Sequence, residues 1–298
     1  METSQIPAGA VVVGVDGSSG SRHALEWAAA QAQLENRPLV LVHALGVLPL
    51  VGSAWMDRAG IDHGRLIEEE RAAGHSVLAE AAAQVLAGRP DLAVHQVLRQ
   101  VDAREALLGV ADDAALLAVG SRGRGPVASL LLGSVSVAVS KHAPCPVVVV
   151  RPTDGAERRG VVVGTDGTER SAPAVEFAFR VADARGVPLT VLHCFWDAVA
   201  VVEGTLDVAD DETDCDDMRA MLAQAVAGHR ERHPDVELRL QLTRGFADQR
   251  LLEASHDAEL VVVGSHPRKV LQQIVYGSLT PAVVEHARCP VAVVPFHP

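Results

Sequence analysis

The chain repeats itself, and the repeat is the size of a domain. "VVVGVDGSSGSRHALEWAA" (Val11 to Ala29) returns 150 positions later as "VVVGTDGTERSAPAVEFAF" (Val161 to Phe179), and "PLVLVHAL" (Pro38 to Leu45) returns at the same offset as "PLTVLHCF" (Pro188 to Phe195). "HAPCPVVVV" (His142 to Val150) and "HARCPVAVV" (His286 to Val294) match at an offset of 144, so the second copy is six residues shorter in its middle. A period this long excludes a solenoid of short repeats. It predicts two successive domains, 1–152 and 159–298, in a chain of 298 residues. The polar, turn-rich "RPTDGAERRG" (Arg151 to Gly160) is the linker.

Within the first copy, apolar runs alternate with amphipathic segments. Strands are expected at Val11–Val15, Leu39–Ala44, Leu92–Leu98, Ala115–Val119 and Val147–Val150, and helices at Ser18–Leu34, Leu66–Leu86, Arg104–Ala111 and Ser134–His142. Strand–helix alternation with Val-rich strands implies an α/β class: a parallel sheet covered on both faces, doubly wound and Rossmann-like, present twice. Only 3% of residues are aromatic, so the core is aliphatic.

Charge and cysteine usage narrow the partners. A net charge of −12 disfavours nucleic acid and anionic membrane as main partners, although backbone N–H groups can hold a small phosphorylated ligand inside an acidic protein. Cys145, Cys194, Cys215 and Cys289 have no metal-binding spacing, and three of them sit in or beside apolar strand-like runs, where Cys acts as a small hydrophobe. "METSQIPAGA" has no signal-peptide pattern and no apolar run reaches membrane length, which points to the cytoplasm.

Two loops stand where an open α/β sheet binds ligands, at the carboxyl ends of its strands. One is "VDGSSGS" after the first strand. The other is "GSRGRGPVASLLLGS" (Gly120 to Ser134) after the fourth, and it recurs in altered form as "GSHPRKVLQQIVYGS" (Gly264 to Ser278). At Gly120 and Gly123 the missing Cβ lets backbone approach a ligand and permits a positive φ. Gly133-Ser134 opens a helix whose free N–H groups attract an anion, with Ser134 and Ser136 as hydroxyl donors. Asp16 offers a carboxylate to ribose hydroxyls. The loop lacks the Gly-Lys-Ser/Thr of a Walker A motif and is not GxGxxG opening the first helix. Taken alone, it is either a phosphate cradle or a plain strand-to-helix connection.

The spacing Gly120-x2-Gly123-x9-Gly133-Ser134 resembles the G-2x-G-9x-G-(S/T) loop of the universal stress protein family, and "VVVGVDGS", "LVHA" and "HAPCPVVVV" stand where that family has the corresponding elements. The resemblance covers nearly the whole chain as two tandem copies. It implies five parallel strands per domain in the order 3-2-1-4-5, with ATP as ligand, alone or with Mg²⁺. It sets adenine against backbone at His43-Ala44, Asp16 and Gly120 near adenine and ribose, and Gly123, Gly133, Ser134, Val135 and Ser136 around the phosphates. The second copy keeps Asp166, His193-Cys194, Gly264, Gly277 and Ser278. Pro267, however, stands in the place of Gly123, removing a donor and locking φ. That copy is either a weakened site, with His266, Arg268 and Lys269 in partial compensation, or a degenerate domain kept for pairing. The implied strand order makes Val147–Val150 and Val291–Val294 edge strands, and pairing them into an internal pseudo-dimer hides two apolar edges. A homodimer is equally compatible.

Other conspicuous residues carry bland readings. His43 and His193 at strand ends can satisfy loop backbone, and His142 and His286 can cap helices. The acidic runs Arg65–Gly74 and Asp207–Asp217 are solvated faces, and Trp27 is packing. Arg122 and Arg124 either neutralise phosphate or are simply solvated. Phosphoryl transfer needs a positioned base, metal ligands and a stabilising cation. No such set is legible, so no catalytic or metal residue is assigned. The expected function is regulatory ATP binding in a stress response, with at most slow hydrolysis. A PP-loop ATP pyrophosphatase would want an SGGxDS-like loop where "DGSSGS" stands, and a ligand-free interaction module is the remaining alternative.

Overall fold

Valine and leucine on a pleated backbone bury both faces of a parallel sheet, and the apolar runs of both copies do so. The computed structural model describes residues 6–46, 63–123, 132–152, 158–196, 206–208, 212, 215–265 and 279–296. They belong to two compact units, Met1–Cys145 and Pro146–Pro298.

The first unit runs β1 (Ala10–Gly14), α1 (Ser19–Leu34), β2 (Leu39–Ala44), α2 (His63–Gly88), β3 (Val94–Arg99), α3 (Ala103–Leu108), β4 (Ala114–Gly120) and α4 (Ser134–His142). Its strands are parallel in the order β3-β2-β1-β4. Val11 is in register with Leu39 on one side and Leu116 on the other. After β3 the chain returns past β1 to begin β4, so the strand order reverses there and a crevice opens at the carboxyl ends of these two strands. Val11, Val12, Val13, Leu116, Leu117 and Ala118 are fully buried. Helix α1 lies over them through Ala24, Leu25, Ala28, Ala29 and Ala32, small enough for close approach to the sheet. Ser18 caps α1, its hydroxyl accepting from the Ser21 N–H at 3.1 Å. Helix α2 crosses the ends of β2 and β3 at Gly74, where a Cβ would stand 2.6 Å from Leu45 Cδ2 and 2.8 Å from Leu98 Cδ1. The helix expected over Arg104–Ala111 is shorter: Asp102 caps it, it stops at Gly109, and a single 3₁₀ turn at Ala111–Asp113 feeds β4.

The second unit contains β5 (Val147–Val150), β6 (Val161–Gly164), α5 (Ala172–Arg185), β7 (Leu189–Phe195), α6 (Asp216–Arg232), β8 (Leu238–Arg244), α7 (Ala247–Ala254), β9 (Leu260–Ser265), α8 (Leu279–His286) and β10 (Val291–Pro295). Its order is β8-β7-β6-β9-β10-β5, parallel except for the last pair. The first five strands of that order are the 3-2-1-4-5 arrangement. β5 pairs antiparallel with β10, Val149 opposite Val291 and Val147 opposite Val293, so the two valine-rich strands do cover one another's edges. Arg151, just past β5, donates from Nη2 to the carbonyl oxygens of Val284 and Glu285 at the end of α8, at 2.5 and 2.6 Å. These bonds place β5 in the second unit although it precedes the linker. The strands of each copy follow the expected 3-2-1-4-5 order, and the boundary of the compact units falls just before β5, so the fifth strand of the first copy is counted with the second unit, antiparallel to β10. Among the described residues no helix is long and apolar enough to cross a membrane.

Candidate functional site

The crevice of the first unit is built by backbone packed against backbone. Gly120 ends β4 against Gly20 in the first turn of α1: a Cβ on Gly120 would meet the Gly20 carbonyl carbon and oxygen at 2.6 Å. Conversely, a Cβ on Gly20 would strike the Arg122 carbonyl oxygen. The loop after β4 is thereby pressed onto the start of α1, directly beside the loop after β1. Gly123 then lies against Asp16, where a Cβ would be 2.6 Å from Oδ2. Neither Gly120 nor Gly123 has a positive φ, which corrects the expectation of a left-handed turn at these positions. Their requirement is room.

Asp16 is oriented by the Ser18 N–H, which donates to Oδ1 at 2.9 Å. Behind it, His43 Nδ1 donates to the Val15 carbonyl oxygen at 2.6 Å, tying the end of β2 to the loop after β1 and setting the ring tautomer. Ala44 follows as the last residue of β2. Across the crevice, Gly133 is the N-cap of α4 with extended backbone (φ −74°, ψ 151°) and no side-chain cap bond. Ser134, Val135 and Ser136 form the first turn of α4, whose N–H groups have no intrahelical acceptor. Two expected donors are directed elsewhere. The Gly133 N–H goes to the Ser121 carbonyl at 2.8 Å, and the Ser136 hydroxyl goes to the Gly120 carbonyl at 2.7 Å. Ser136 thus offers its backbone and not its hydroxyl, because the side chain ties α4 to β4. Arg122 is exposed on the loop, and Arg124 lies outside the described residues.

The second unit reproduces the frame with other side chains. Asp166 Oδ1 accepts from the Thr168 N–H at 3.0 Å and hydroxyl at 2.8 Å. His193 Nδ1 donates to the Thr165 carbonyl at 2.9 Å. Thr280 donates to the Gly264 carbonyl at 3.1 Å, as Ser136 does to Gly120. Cys194 stands where Ala44 does, and burial pushes its thiol up to about 12, Arg250 lowering it and Asp248 raising it to a lesser degree. It is a protonated, apolar wall. Met221 of α6 packs on Gly167, where a Cβ would fall 2.5 Å from its Sδ. Gly20 has Arg170 as its counterpart. Gly277 and Ser278, with His266, Pro267, Arg268 and Lys269, lie outside the described residues.

Sequence reasoning missed Gly20. The signal was its replacement by Arg170 in the second copy, but its meaning depends on knowing that the loop after β4 passes over it.

Known proteins share this architecture. The profile of the universal stress protein family matches residues 8–151 and, a second time, residues 157–295. A universal stress protein of Mycolicibacterium smegmatis (strain ATCC 700084 / mc(2)155) is 35% identical over 291 residues, covering 95% of this chain and 96% of its own length. The crystal structure of a universal stress protein from Archaeoglobus fulgidus DSM 4304 covers 98% of both chains at 19% identity and a TM-score of 0.69, which shows a shared fold. A universal stress protein solved in complex with cAMP aligns with 48% of this chain at 21% identity and a TM-score of 0.36. With two family matches that together span nearly all of its length and a full-length relative above 30% identity, the chain belongs to the universal stress protein family.

Proposed function

We propose that the first unit binds ATP and that occupancy, not turnover, is its output: a regulatory protein of the stress response with at most slow hydrolysis. Adenine lies against the backbone at Ala44, ribose at Asp16 and Gly120, and the phosphates over Gly123 and the Gly133–Ser136 turn. The observation that carries the reading is the meeting of Gly123 with the Asp16 carboxylate opposite a helix start left without a side-chain cap. A carboxylate for sugar hydroxyls and a set of helix N–H groups for phosphate then face one crevice.

Among the described residues no group of three or more His, Cys, Asp or Glu is placed to hold a metal. The donor set does not fit a resident ion. Mg²⁺ would arrive on the triphosphate, with Asp16 the carboxylate beside it. The second unit is the weaker site in this reading: Arg170 replaces the glycine that lets the loop close down, and Met221 covers Gly167. The domain bounds 1–152 and 159–298 serve as the functional units, although β5 is counted with the second compact unit.

The test is nucleotide identification after denaturing freshly purified protein, followed by calorimetry with ATP. Adenine nucleotide in near-stoichiometric amount, or ATP binding abolished by Asp16→Ala, is the expected result. Protein that releases none and shows no heat with ATP overturns the proposal.

A further inference from the structure

Each copy packs two neighbouring helices side by side, and the seam between them differs in chemistry. From α6 onward the copies align at an offset of 144, as strand register shows: Cys194 faces Thr243 as Ala44 faces Arg99. By the same offset Phe246, which opens α7 with no side-chain cap bond, stands for the capping Asp102 of α3. In the first copy α2 carries Leu78, Ala82 and Val85 as one buried stripe at helical spacing. Arg89 closes that stripe, donating from Nη2 to Glu26 Oε1 of α1 at 2.6 Å. The counterparts on α6 are Leu222, Val226, His229 and His233. Leu222 and Val226 are buried as before, but two imidazoles replace the valine and the arginine. Facing them, Ala29 of α1 has become Phe179 of α5, fully buried. Both imidazoles stack on its ring, His229 with centroids 5.4 Å apart and planes 19° apart, His233 at 5.9 Å and 26°.

The hydrogen bonds show which protonation state the seam is built for. Arg232 Nη2 lies 2.9 Å from His229 Nδ1. A guanidinium only donates, so Nδ1 is the acceptor and the His229 ring is neutral, its proton on Nε2. His233, which caps α6, donates from Nδ1 to Asp183 Oδ2 of α5 at 2.8 Å. The charged groups around His229 are Glu176 and Asp183 from α5, and Arg232 and His233 from α6 and its cap, with Glu176 Oε1 3.6 Å from Arg232 Nη1. On β8, which α6 also covers, Arg239 and the Glu237 before it hold each other at 2.6 Å. A proton on His229 removes the acceptor for Arg232 and places a cation between Arg232 and His233. Once His233 is charged as well, three positive groups share two carboxylates. Burial of the His229 ring opposes its charge further.

We propose that this seam is an acid-operated clasp: a proton on His229 parts the last turn of α6 from α5, and α6 carries the release to the mouth of the second unit. The connecting residue is Met221, eight positions earlier on the same helix, about 12 Å along its axis. Met221 packs on Gly167, next to Asp166 in the loop after β6. Neutral pH holds α6 down with Met221 over that loop, and acid loosens both. The first copy has no histidine at the four seam positions and serves as the insensitive control within the same chain. The inference does not rest on ATP binding by either unit.

Hydrogen exchange of the full-length chain from pH 7.5 to pH 5.0, read by mass spectrometry and corrected for the intrinsic pH dependence of exchange, compares the peptides of α6 and α2. Opening of α6 should rise by up to about tenfold per pH unit below 6.5, while that of α2 stays level. His229→Val combined with His233→Arg installs the residues of the first copy and should remove the difference. Methyl-labelled methionine reads the connection to the mouth. The Met221 resonance, assigned by its loss in Met221→Leu, should shift with the same midpoint as the opening of α6. Parallel pH responses of α6 and α2 overturn the proposal, as does a response that survives in the double variant. A Met221 resonance that stays fixed while α6 loosens overturns it too. Should the double variant fail to fold, the two measurements on the wild-type chain decide by themselves.

Discussion

Substituting alanine at Gly123 and at Gly133 separates two uses of glycine that look alike in the motif. At Gly133 the backbone is extended and the nearest atoms to a new Cβ are the Ser121 oxygen at 3.6 Å, Arg122 Cα at 3.7 Å and Ser136 Oγ at 3.8 Å, all ordinary contacts. The fold accepts Ala there, and the smaller freedom of the unfolded chain adds about 0.4–1 kcal/mol of stability. At Gly123 the same methyl would lie 2.6 Å from Asp16 Oδ2. Either the loop lifts or the carboxylate turns away from the Ser18 N–H that holds it at 2.9 Å. Losing a hydrogen bond to a charged group costs about 1.5–3 kcal/mol, and that orientation is what would present Asp16 to a ribose. Gly123→Ala should therefore lower ATP affinity by about tenfold to a hundredfold, with a lower melting temperature. Gly133→Ala should leave stability equal or higher and cost affinity only through whatever its methyl meets on the ligand. Calorimetry and thermal melts on the full chain read both quantities. Equal affinity of Gly123→Ala and wild type would refute the argument from Asp16, and a destabilised Gly133→Ala would refute the packing at the helix start.

Further expectations concern the second unit and the thiols. Phe246→Asp should stabilise α7 by about 0.5–2 kcal/mol through the restored cap, read as a higher denaturation midpoint; no gain would mean the α7 start is satisfied in another way. The His229 ring stacks on Phe179 with centroids 5.4 Å apart, and burial first, then Arg232, holds its pKa below the ordinary histidine value, with Glu176 opposing and His233 adding to the depression. Its contribution to stability is thus present above pH 6.5 and is lost as pH falls through the lower folded value, so His229→Phe should flatten the decline in melting temperature below pH 6.5. Burial also pushes the thiols of Cys145, Cys194 and Cys289 up to about 12. At pH 8 they should alkylate with iodoacetamide on the order of a thousandfold more slowly than a free cysteine, as mass spectrometry would resolve.

The central strands were legible because parallel strands buried on both faces read as continuous Val and Leu, whereas the edge strands Val94–Arg99 and Leu238–Arg244 carry polar residues on exposed positions. The helix Ser134–His142 and the strand Val147–Val150 occur with the expected bounds. Helix ends were harder. Arg104–Ala111 continued an apolar pattern through Gly109, but the chain must turn there to enter β4, and the helix stops at Leu108. The pairing of β5 with β10 followed from the cost of open apolar edges, whereas the Arg151 bonds to α8 that fasten it had no sequence signature. At the crevice, the motif located Gly120, Gly123 and Gly133 and gave two reasons for the first two, close approach and a positive φ, of which only close approach holds, against Gly20 and Asp16 of the chain itself. Positive φ and close approach select glycine equally, and only the position of Gly20 and Asp16 tells them apart. The hydroxyl of Ser136 was misjudged for a related reason. A serine in a first helical turn can face a ligand or its own sheet, and this one faces the Gly120 carbonyl.

The internal repeat makes the divergence interpretable without any second protein. Positions that keep their chemistry in both copies support the sheet and its loops: His43 and His193 hold the carbonyls of Val15 and Thr165, and Ser136 and Thr280 hold those of Gly120 and Gly264. Among the positions that change, three stand at or near the carboxyl ends of the strands: Gly20 to Arg170, Gly46 to Trp196 and Asp102 to Phe246. The scaffold of the second copy is intact, with Val261, Val262, Val263, Val291 and Ala292 almost completely buried. The second copy keeps its core and its loop-supporting hydrogen bonds while three residues at its mouth differ in chemistry, so a binding assay on the first unit does not speak for the second and each unit has to be measured by itself.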